Sequence, residues 1–161
     1  MKRGKLQHEV KKKQPFALLE QEASLNLLRT SDQMQIRFAR LLREQGLTPS
    51  QYNILRILRG EGRPLPILEV AARMITVVPG ITGLIDRLET ADLVERKRCD
   101  HDRRVVYVAI APQAVKILAQ IDEPLRELHR QTLGHMTAEE LRSLTNLLEK
   151  AREPHLLTPD S

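Results

Sequence analysis

The stretch "LEVAARMITVVPGITGLIDRLETADLV", residues 68–94, decides how the rest of the chain is interpreted. It predicts two short amphipathic helices, because apolar side chains recur at helical spacing in its second half, at Ile81, Leu84, Ile85 and Leu88. The connection "ITVVPG" (75–80) carries the Pro-Gly pair that marks a turn. Such a helix pair is typical of a helix-turn-helix, but it also fits two helices of a bundle. The neighbouring segments have to separate these two interpretations.

The residues that follow predict a β-hairpin. "LVERKR" (93–98) and "VVYVAI" (105–110) are rich in β-branched residues, the second alternates with a period of two, and "CDHDR" joins them. The hairpin is strongly basic, through Arg96, Lys97, Arg98, Arg103 and Arg104. A basic hairpin directly after a helix pair favours a winged helix-turn-helix, whose last short helix enters the major groove. The hairpin, or wing, would reach the neighbouring minor groove.

Helices are also predicted before this helix pair and after the hairpin. In "LTPSQYNILRIL", Thr48, Pro49 and Gln51 predict a capped helix start. Longer helical patterns run over 16–44 and onward from Pro112, with a kink or restart expected at Pro124 and a capping box at Thr137 and Glu140. Their apolar stripes predict pairing with a second copy of the chain.

The predicted fold is therefore mainly α (α+β). It comprises a flexible basic arm at 1–15, a helical dimerisation region at 16–46 and 111–153, and a winged helix-turn-helix at 47–110. The C-terminal stripe of that dimerisation region consists of Leu141, Leu144, Leu148 and Ala151.

Composition points to duplex DNA as the partner. Lys and Arg outnumber Asp and Glu by 26 to 21, which gives a net charge of +5 and favours a polyanion, although so modest an excess also fits an ordinary basic surface. The chain has two Phe, two Tyr and no Trp, too few aromatic rings for stacking single-stranded bases. No metal-ligand spacing, phosphate loop or nucleophile–base pair stands out, so we expect no metal, no cofactor, no catalytic residue and no enzyme activity.

The single cysteine, Cys99, excludes a disulfide framework. No apolar run has the length of a membrane span or of a signal peptide. We therefore expect no membrane partner and a cytoplasmic protein, in a bacterial or archaeal cytosol and associated with the nucleoid.

Three motifs in combination resemble the MarR family of transcriptional regulators. They are "LTPSQYNIL" (47–55), "GLIDRLETADLVERK" (83–97) and "DHDRRVVYVAIAPQA" (100–114), and the resemblance extends from about Leu19 to Ala151. It implies a homodimeric winged helix-turn-helix protein that binds pseudo-palindromic promoter DNA. It also implies a repressor that a small ligand, often aromatic or anionic, releases from DNA.

The resemblance also assigns candidate residues. Arg104 matches the wing arginine that enters the minor groove, where a narrow A·T-rich groove attracts it, and Asp102 would orient it. Thr82 matches a base-contacting position, whereas Gly83 departs from the long polar residue that is common there. Readout would then rest on Thr76, Thr82 and apolar contacts with thymine methyl groups. The full expected DNA-binding set is Thr76, Val78, Pro79, Gly80, Thr82, Gly83, Arg87, Arg98, Arg103 and Arg104.

Several alternatives stay open at this point. Arg87 would contact a phosphate or would pair with Asp86 or Glu89. The basic hairpin residues would touch DNA or would merely keep an exposed edge soluble. Cys99 is expected to be incidental rather than a redox sensor, since Asp100 opposes the effect of Arg98 on its thiol. A winged-helix protein-interaction module and a ligand-independent architectural DNA binder are the competing functions.

Overall fold

The structure is a computed structural model that describes residues 5–98 and 105–156, with side chains up to residue 153. The predictions made for Cys99, Asp102, Arg103 and Arg104 lie outside the described residues. The chain divides into two compact units, residues 1–121 and 122–161, and each is described by itself. The described part is mostly helical with a small antiparallel sheet, so the predicted mainly α winged helix-turn-helix is confirmed.

A short helix, α1 (Lys5–Glu9), lies within the segment for which the sequence predicts a flexible basic arm. Leu6 and Gln7 are buried, and the Gln7 side-chain amide donates to the carbonyl of Lys12 at 3.2 Å. Glu9 accepts from Arg29 at 2.9 Å, on the next helix, α2 (Leu19–Arg43). The sequence of this segment is dominated by lysines, and the burial of Leu6 is what anchors the helix.

Helix α2 is apolar on two sides. On one side, Met34, Phe38 and Leu41 are half-buried, and the Phe38 ring meets Tyr52 edge-to-face at 5.5 Å between centroids. Tyr52 belongs to α3 (Pro49–Glu61), which begins at the predicted capping box: the Thr48 amide donates to Gln51 Oε1 at 2.9 Å, and the Gln51 amide donates to Thr48 Oγ1 at 3.3 Å. These bonds satisfy two amides that a helix start leaves unpaired.

The helix-turn-helix follows in the predicted order, with one addition. Leu65–Pro66 forms a short strand, β1, that was not predicted from the sequence, and it precedes α4 (Ile67–Ala72). After the turn, α5 (Ile81–Thr90) begins at Gly80, whose φ of 75° is the left-handed conformation that favours glycine. The second helix of the pair is therefore in place as predicted.

The hairpin strands are β2 (Val94–Arg98) and β3 (Val106–Ile110), and the sheet order is β1-β3-β2 with antiparallel pairing throughout. Arg96 lies opposite Val108, and Arg98 lies opposite Val106. Val94 and Val108 are buried, whereas residues 95–98 are exposed. The hairpin is thus anchored in the core through Val94 and Val108, while the charged residues 95–98 of β2 extend into solvent.

Two long helices complete the chain, α6 (Pro112–Leu133) and α7 (Ala138–Leu156). A kink or a restart of the helix was expected at Pro124. The helix does not restart there, because Pro124 lies inside α6. The predicted capping box of α7 is present, since the Thr137 amide donates to the Glu140 carboxylate at 2.8 Å and the Glu140 amide donates to Thr137 Oγ1 at 3.3 Å.

The core of the first unit joins the end of α2, the helices α3, α4 and α5, the sheet and the first part of α6. Its fully buried side chains include Leu42, Ile54, Leu55, Leu58, Leu65, Val70, Ile85, Leu88, Val94, Val108, Leu118 and Ile121. This apolar cluster fixes the positions of α5 and the hairpin, because each contributes at least one of its members. The division into the dimerisation region at 16–46 and 111–153 and the DNA-binding part at 47–110 stays a prediction.

Candidate nucleic-acid interface

Helix α5 turns one side to the core and the other to solvent. Ile85 and Leu88 are buried, and Thr82, Gly83, Asp86 and Arg87 are exposed. A rotation of about 100° per residue along the helix places these four residues on the side away from the core. A polar outer side on a short helix held by its apolar side is what a major groove can accept.

The turn before α5 exposes apolar side chains. Val77 is 90% exposed and Ile75 is 81% exposed, while Val78 is half-buried and Thr76 and Pro79 are exposed. The Gly80 N-cap position makes no side-chain capping bond. Because Ile75 and Val77 are exposed, they contribute little to the described fold. Aliphatic side chains such as these can pack against thymine methyl groups.

Arg96 connects the hairpin to the outer flank of α5. Its guanidinium donates to Asp86 Oδ1 at 2.6 Å and, through Nε at 2.8 Å and a second nitrogen, to Glu89 Oε2. Asp86 and Glu89 are neighbours on the helix surface because they are three residues apart. The hydrogen bond from Arg96 lowers the pKa of Glu89 below its ordinary value, and the same bond raises the pKa of Arg96. We call this group the Arg96 clamp: Asp86, Glu89 and Arg96.

Arg87 is left exposed by this arrangement. Among the described residues, its side chain makes no ion pair and no hydrogen bond, and the two carboxylates with which it was expected to compete are held by Arg96. Residues one or two apart on a helix do not face each other, so Asp86 and Glu89 are also poorly placed for Arg87. Arg98, at the end of β2, is likewise exposed and without an ion pair within 5–98 and 105–153.

Arg73, after α4, is occupied within the protein. It donates to Glu61 at 2.6 Å and to Glu69, and Glu61 also pairs with Arg63 at 2.6 Å. The hydrogen bond from Arg73 is the main cause that lowers the pKa of Glu61. A guanidinium shared between two carboxylates is poorly available to a phosphate, so Arg73 is a weaker candidate than Arg87.

Comparison with known proteins identifies the family. A family model described as "MarR family" matches residues 47–106. The HTH-type transcriptional regulator YsmB of Bacillus subtilis, itself described as uncharacterized, is 31% identical over 101 residues, covering 63% of this chain and 68% of that relative. The crystal structure of a MarR transcription factor from Planctomyces limnophilus is 41% identical, with a TM-score of 0.65, covering 83% of this chain and 98% of that one. The chain belongs to the MarR family.

A further relative is a named repressor. The homoprotocatechuate degradative operon repressor of Escherichia coli is 28% identical over 127 residues, covering 79% of this chain and 85% of the relative. The present MarR-family chain is accordingly a winged-helix, DNA-binding transcriptional regulator. The function predicted from the sequence is thereby confirmed at this level.

The structure gathers most of the predicted site of the MarR-family regulator on one short segment. Thr76, Val78, Pro79, Gly80, Thr82 and Gly83 all fall within the turn and the first turn of α5, and Arg87 follows one helical turn after Gly83. Arg98 lies at the other end of the described site, on β2. Asp102, Arg103 and Arg104 lie outside the described residues, so their assigned roles stay predictions.

Neither the Arg96 clamp nor the exposure of Ile75 was predicted from the sequence. Two signals pointed to the clamp. Residues two apart on a strand share a face, so Arg96 shares its face with the apolar Val94, and the carboxylates of α5 are three residues apart. Ile75 gave no signal, because burial of an apolar residue in a turn depends on what packs over it.

Among the side chains at 5–98 and 105–153, no group of three or more His, Cys, Asp or Glu is placed to hold a metal ion. No helix in the described part combines the length and the apolar character needed to span a membrane.

Proposed function

We propose that this MarR-family regulator binds a pseudo-palindromic promoter site as a homodimer, with α5 of each subunit in the major groove and the hairpin at the adjacent minor groove. The observation that carries the proposal is the exposed side of α5. It presents Thr82, Gly83 and Arg87, while the two carboxylates on its flank are both ion-paired with Arg96. Such a surface meets the phosphate backbone without unpaired negative charge.

The residues of the site divide by the part of DNA that each would contact. Thr76 and Thr82 offer hydroxyl groups to base edges, and the aliphatic Val78 and Pro79, together with the exposed Val77, suit thymine methyl groups. Arg87, Arg98 and Arg103 would contact phosphates, which position the protein without reading sequence. Arg104, oriented by Asp102, would read the width of the minor groove.

Dimer formation is supported by the second apolar side of α2. Leu25 and Ile36 are exposed and fall along one face of the helix, since they are eleven residues apart. This face lies opposite the one that carries Phe38. An isologous contact would cover it in both subunits at once. A helix that is apolar on both sides is typical of a buried helix, so a second copy is the natural cover.

A small aromatic or anionic effector would complete the switch. The support is the relative named for an operon that degrades homoprotocatechuate, which makes this compound and its close analogues the first candidates. A ligand that favours a spacing of the two α5 helices unsuited to the half-sites would release the DNA. It shifts this equilibrium only by its difference in affinity between the two states.

One selection followed by titration tests the proposal. Duplex fragments retained by the protein from a genomic pool are sequenced, and binding to the recovered site is measured by fluorescence anisotropy across a KCl series. We expect a two-fold related motif. We also expect Arg87→Gln to make the slope of log affinity against log salt shallower by about 0.9 for each subunit.

Two variants sharpen this test. Thr82→Ala should keep the salt slope and lose about 1–3 kcal/mol of discrimination at one base pair per half-site. Lys116→Gln, which removes one exposed positive charge from α6, is the matched charge control and should leave both quantities unchanged. A protein that retains no duplex in preference to bulk DNA would contradict the proposal and favour a protein-interaction module.

A further inference from the structure

Most glycines in the described part have a reason within the fold. Gly46, Gly62 and Gly80 have φ values of 72°, 71° and 75°, which other residues adopt only with strain. At Gly134, an added Cβ would lie 2.3 Å from the carbonyl oxygen of Arg130. These four positions require glycine for the backbone conformation or for close packing.

Gly83 has no such reason. Its φ is not in the left-handed region, and a Cβ added there would meet no atom within 4 Å. It belongs to α5, where glycine weakens the helix relative to alanine. Gly60, in the last turn of α3, shares all of these properties and provides an internal comparison. The described fold therefore gains nothing from glycine at residue 83.

The location of Gly83 indicates what it serves. It lies on the exposed side of α5, four residues before Arg87 and three after Gly80, so these three residues share one flank of the helix. Two of the three have no side chain, which leaves the backbone of the first turn uncovered on this flank. Glycine permits the closest approach of a backbone to a ligand.

We propose that Gly83 is a close-approach position, at which the first turn of α5 lies in van der Waals contact with base edges on the floor of the major groove. A thymine methyl group is the apolar group that projects there, and it fits a surface without a side chain. Gly83 then determines specificity by leaving room for that methyl group, whereas a long polar residue would form hydrogen bonds. The proposal rests on the proposed entry of α5 into the major groove.

Gly83→Ala and Gly60→Ala form a matched pair for the test, since each adds one methyl group to an exposed helical glycine. Full-length proteins are titrated with the operator recovered from the genomic selection and with a non-specific duplex of equal length. We expect Gly83→Ala to weaken operator binding by about tenfold, the effect of one mismatched base pair, with an unchanged salt slope. Binding to the non-specific duplex should be unchanged, the melting temperature should not fall, and Gly60→Ala should bind like the wild type.

A second arm identifies the base. Each thymine of the half-site is replaced in turn by deoxyuridine, which lacks the methyl group. One replacement should weaken the wild type and leave Gly83→Ala nearly unaffected. Equal operator binding by the two alanine variants, a lowered melting temperature for Gly83→Ala, or the same deoxyuridine profile in both proteins would overturn the inference. Failure of the proposed function is distinguishable, because the wild type would then recover no operator before any variant is compared.

Discussion

At the scale of single residues, charge placement separates arginines that serve the fold from arginines that are available to DNA. Arg73 and Arg96 each hold two carboxylates, and Arg87 and Arg98 are exposed without an ion pair to any described residue. Counting arginines in the sequence does not make this distinction. The second pair is therefore the one expected to affect the salt dependence of DNA binding.

The Arg96 clamp leads to a prediction about DNA affinity. Arg96→Gln leaves Asp86 and Glu89 unneutralised on the outer flank of α5, so we expect operator affinity to fall by about tenfold at low salt because like charges then face the phosphates. Asp86→Asn and Glu89→Gln, added to Arg96→Gln, should restore most of the affinity. The three amides retain hydrogen-bonding groups and remove the charge. Anisotropy titrations of the single and triple variants measure both effects.

A result without recovery in the triple variant would show that Arg96 contacts DNA itself. Thermal unfolding of each variant provides the control, since exposed ion pairs contribute little to stability. We expect both variants to melt close to the wild type, which separates an effect on binding from an effect on folding.

At the scale of elements, the helix starts are determined by local hydrogen bonds. The caps at Thr48 and Thr137 both match the sequence pattern, because a cap depends on residues that are neighbours in the chain. The pKa of Glu140, in α7, is lowered mainly by a hydrogen bond from the backbone of Thr137 and, to a smaller extent, by one from the Thr137 side chain. The ionised form of Glu140 is thus stabilised in the folded state relative to the unfolded chain.

The pH dependence of stability follows with a defined sign. A carboxyl group with a lowered folded pKa stabilises the protein above its unfolded pKa, here the ordinary value of 4.5, and this contribution is lost as the pH falls through the lower folded value. Glu140→Gln keeps the capping geometry but cannot titrate. We therefore expect its free energy of unfolding, measured in urea, to change less between pH 6 and pH 3 than that of the wild type. Glu139→Gln, at the adjacent exposed residue, is the control and should unfold like the wild type. Identical pH profiles for Glu140→Gln and the wild type would contradict the expectation.

At the scale of the whole molecule, the second apolar side of α2 is the main feature that one chain leaves uncovered. Its exposed residues Leu25 and Ile36 face away from the core that Phe38 joins. Apolar surface of this kind marks an interaction site in a protein that remains in solution. In the proposed homodimer, α2 would have both sides packed.

Ile36→Asp tests the assembly. Each dimer contains two copies of the substitution, and each copy loses about 1.5–3 kcal/mol of burial, so the dissociation constant should rise by at least about a hundredfold. Analytical ultracentrifugation over a concentration series measures this shift. Thr30→Asp, an exposed position of α2 outside that face, should leave the dimer intact. A wild-type protein that sediments as a monomer at micromolar concentration would exclude the proposed homodimer.

The amino-acid sequence by itself determined the features that depend on near neighbours. These are the capped starts of α3 and α7, the amphipathic pattern of α5 and the period-two strands of the hairpin, and together they sufficed to predict the winged helix-turn-helix. The reason is physical: caps, turns and helix faces are set by interactions within a few residues.

Only the tertiary structure decided the features that depend on distant parts of the chain. Leu6 orders α1 by burial, Leu65 pairs with Val108 to start the sheet, and Arg96 on β2 binds carboxylates on α5. In each case the sequence shows the residue but not the partner that folding brings to it. The exposure of Ile75 and the open space beside Gly83 are of the same kind, because burial and free volume are properties of the packed molecule.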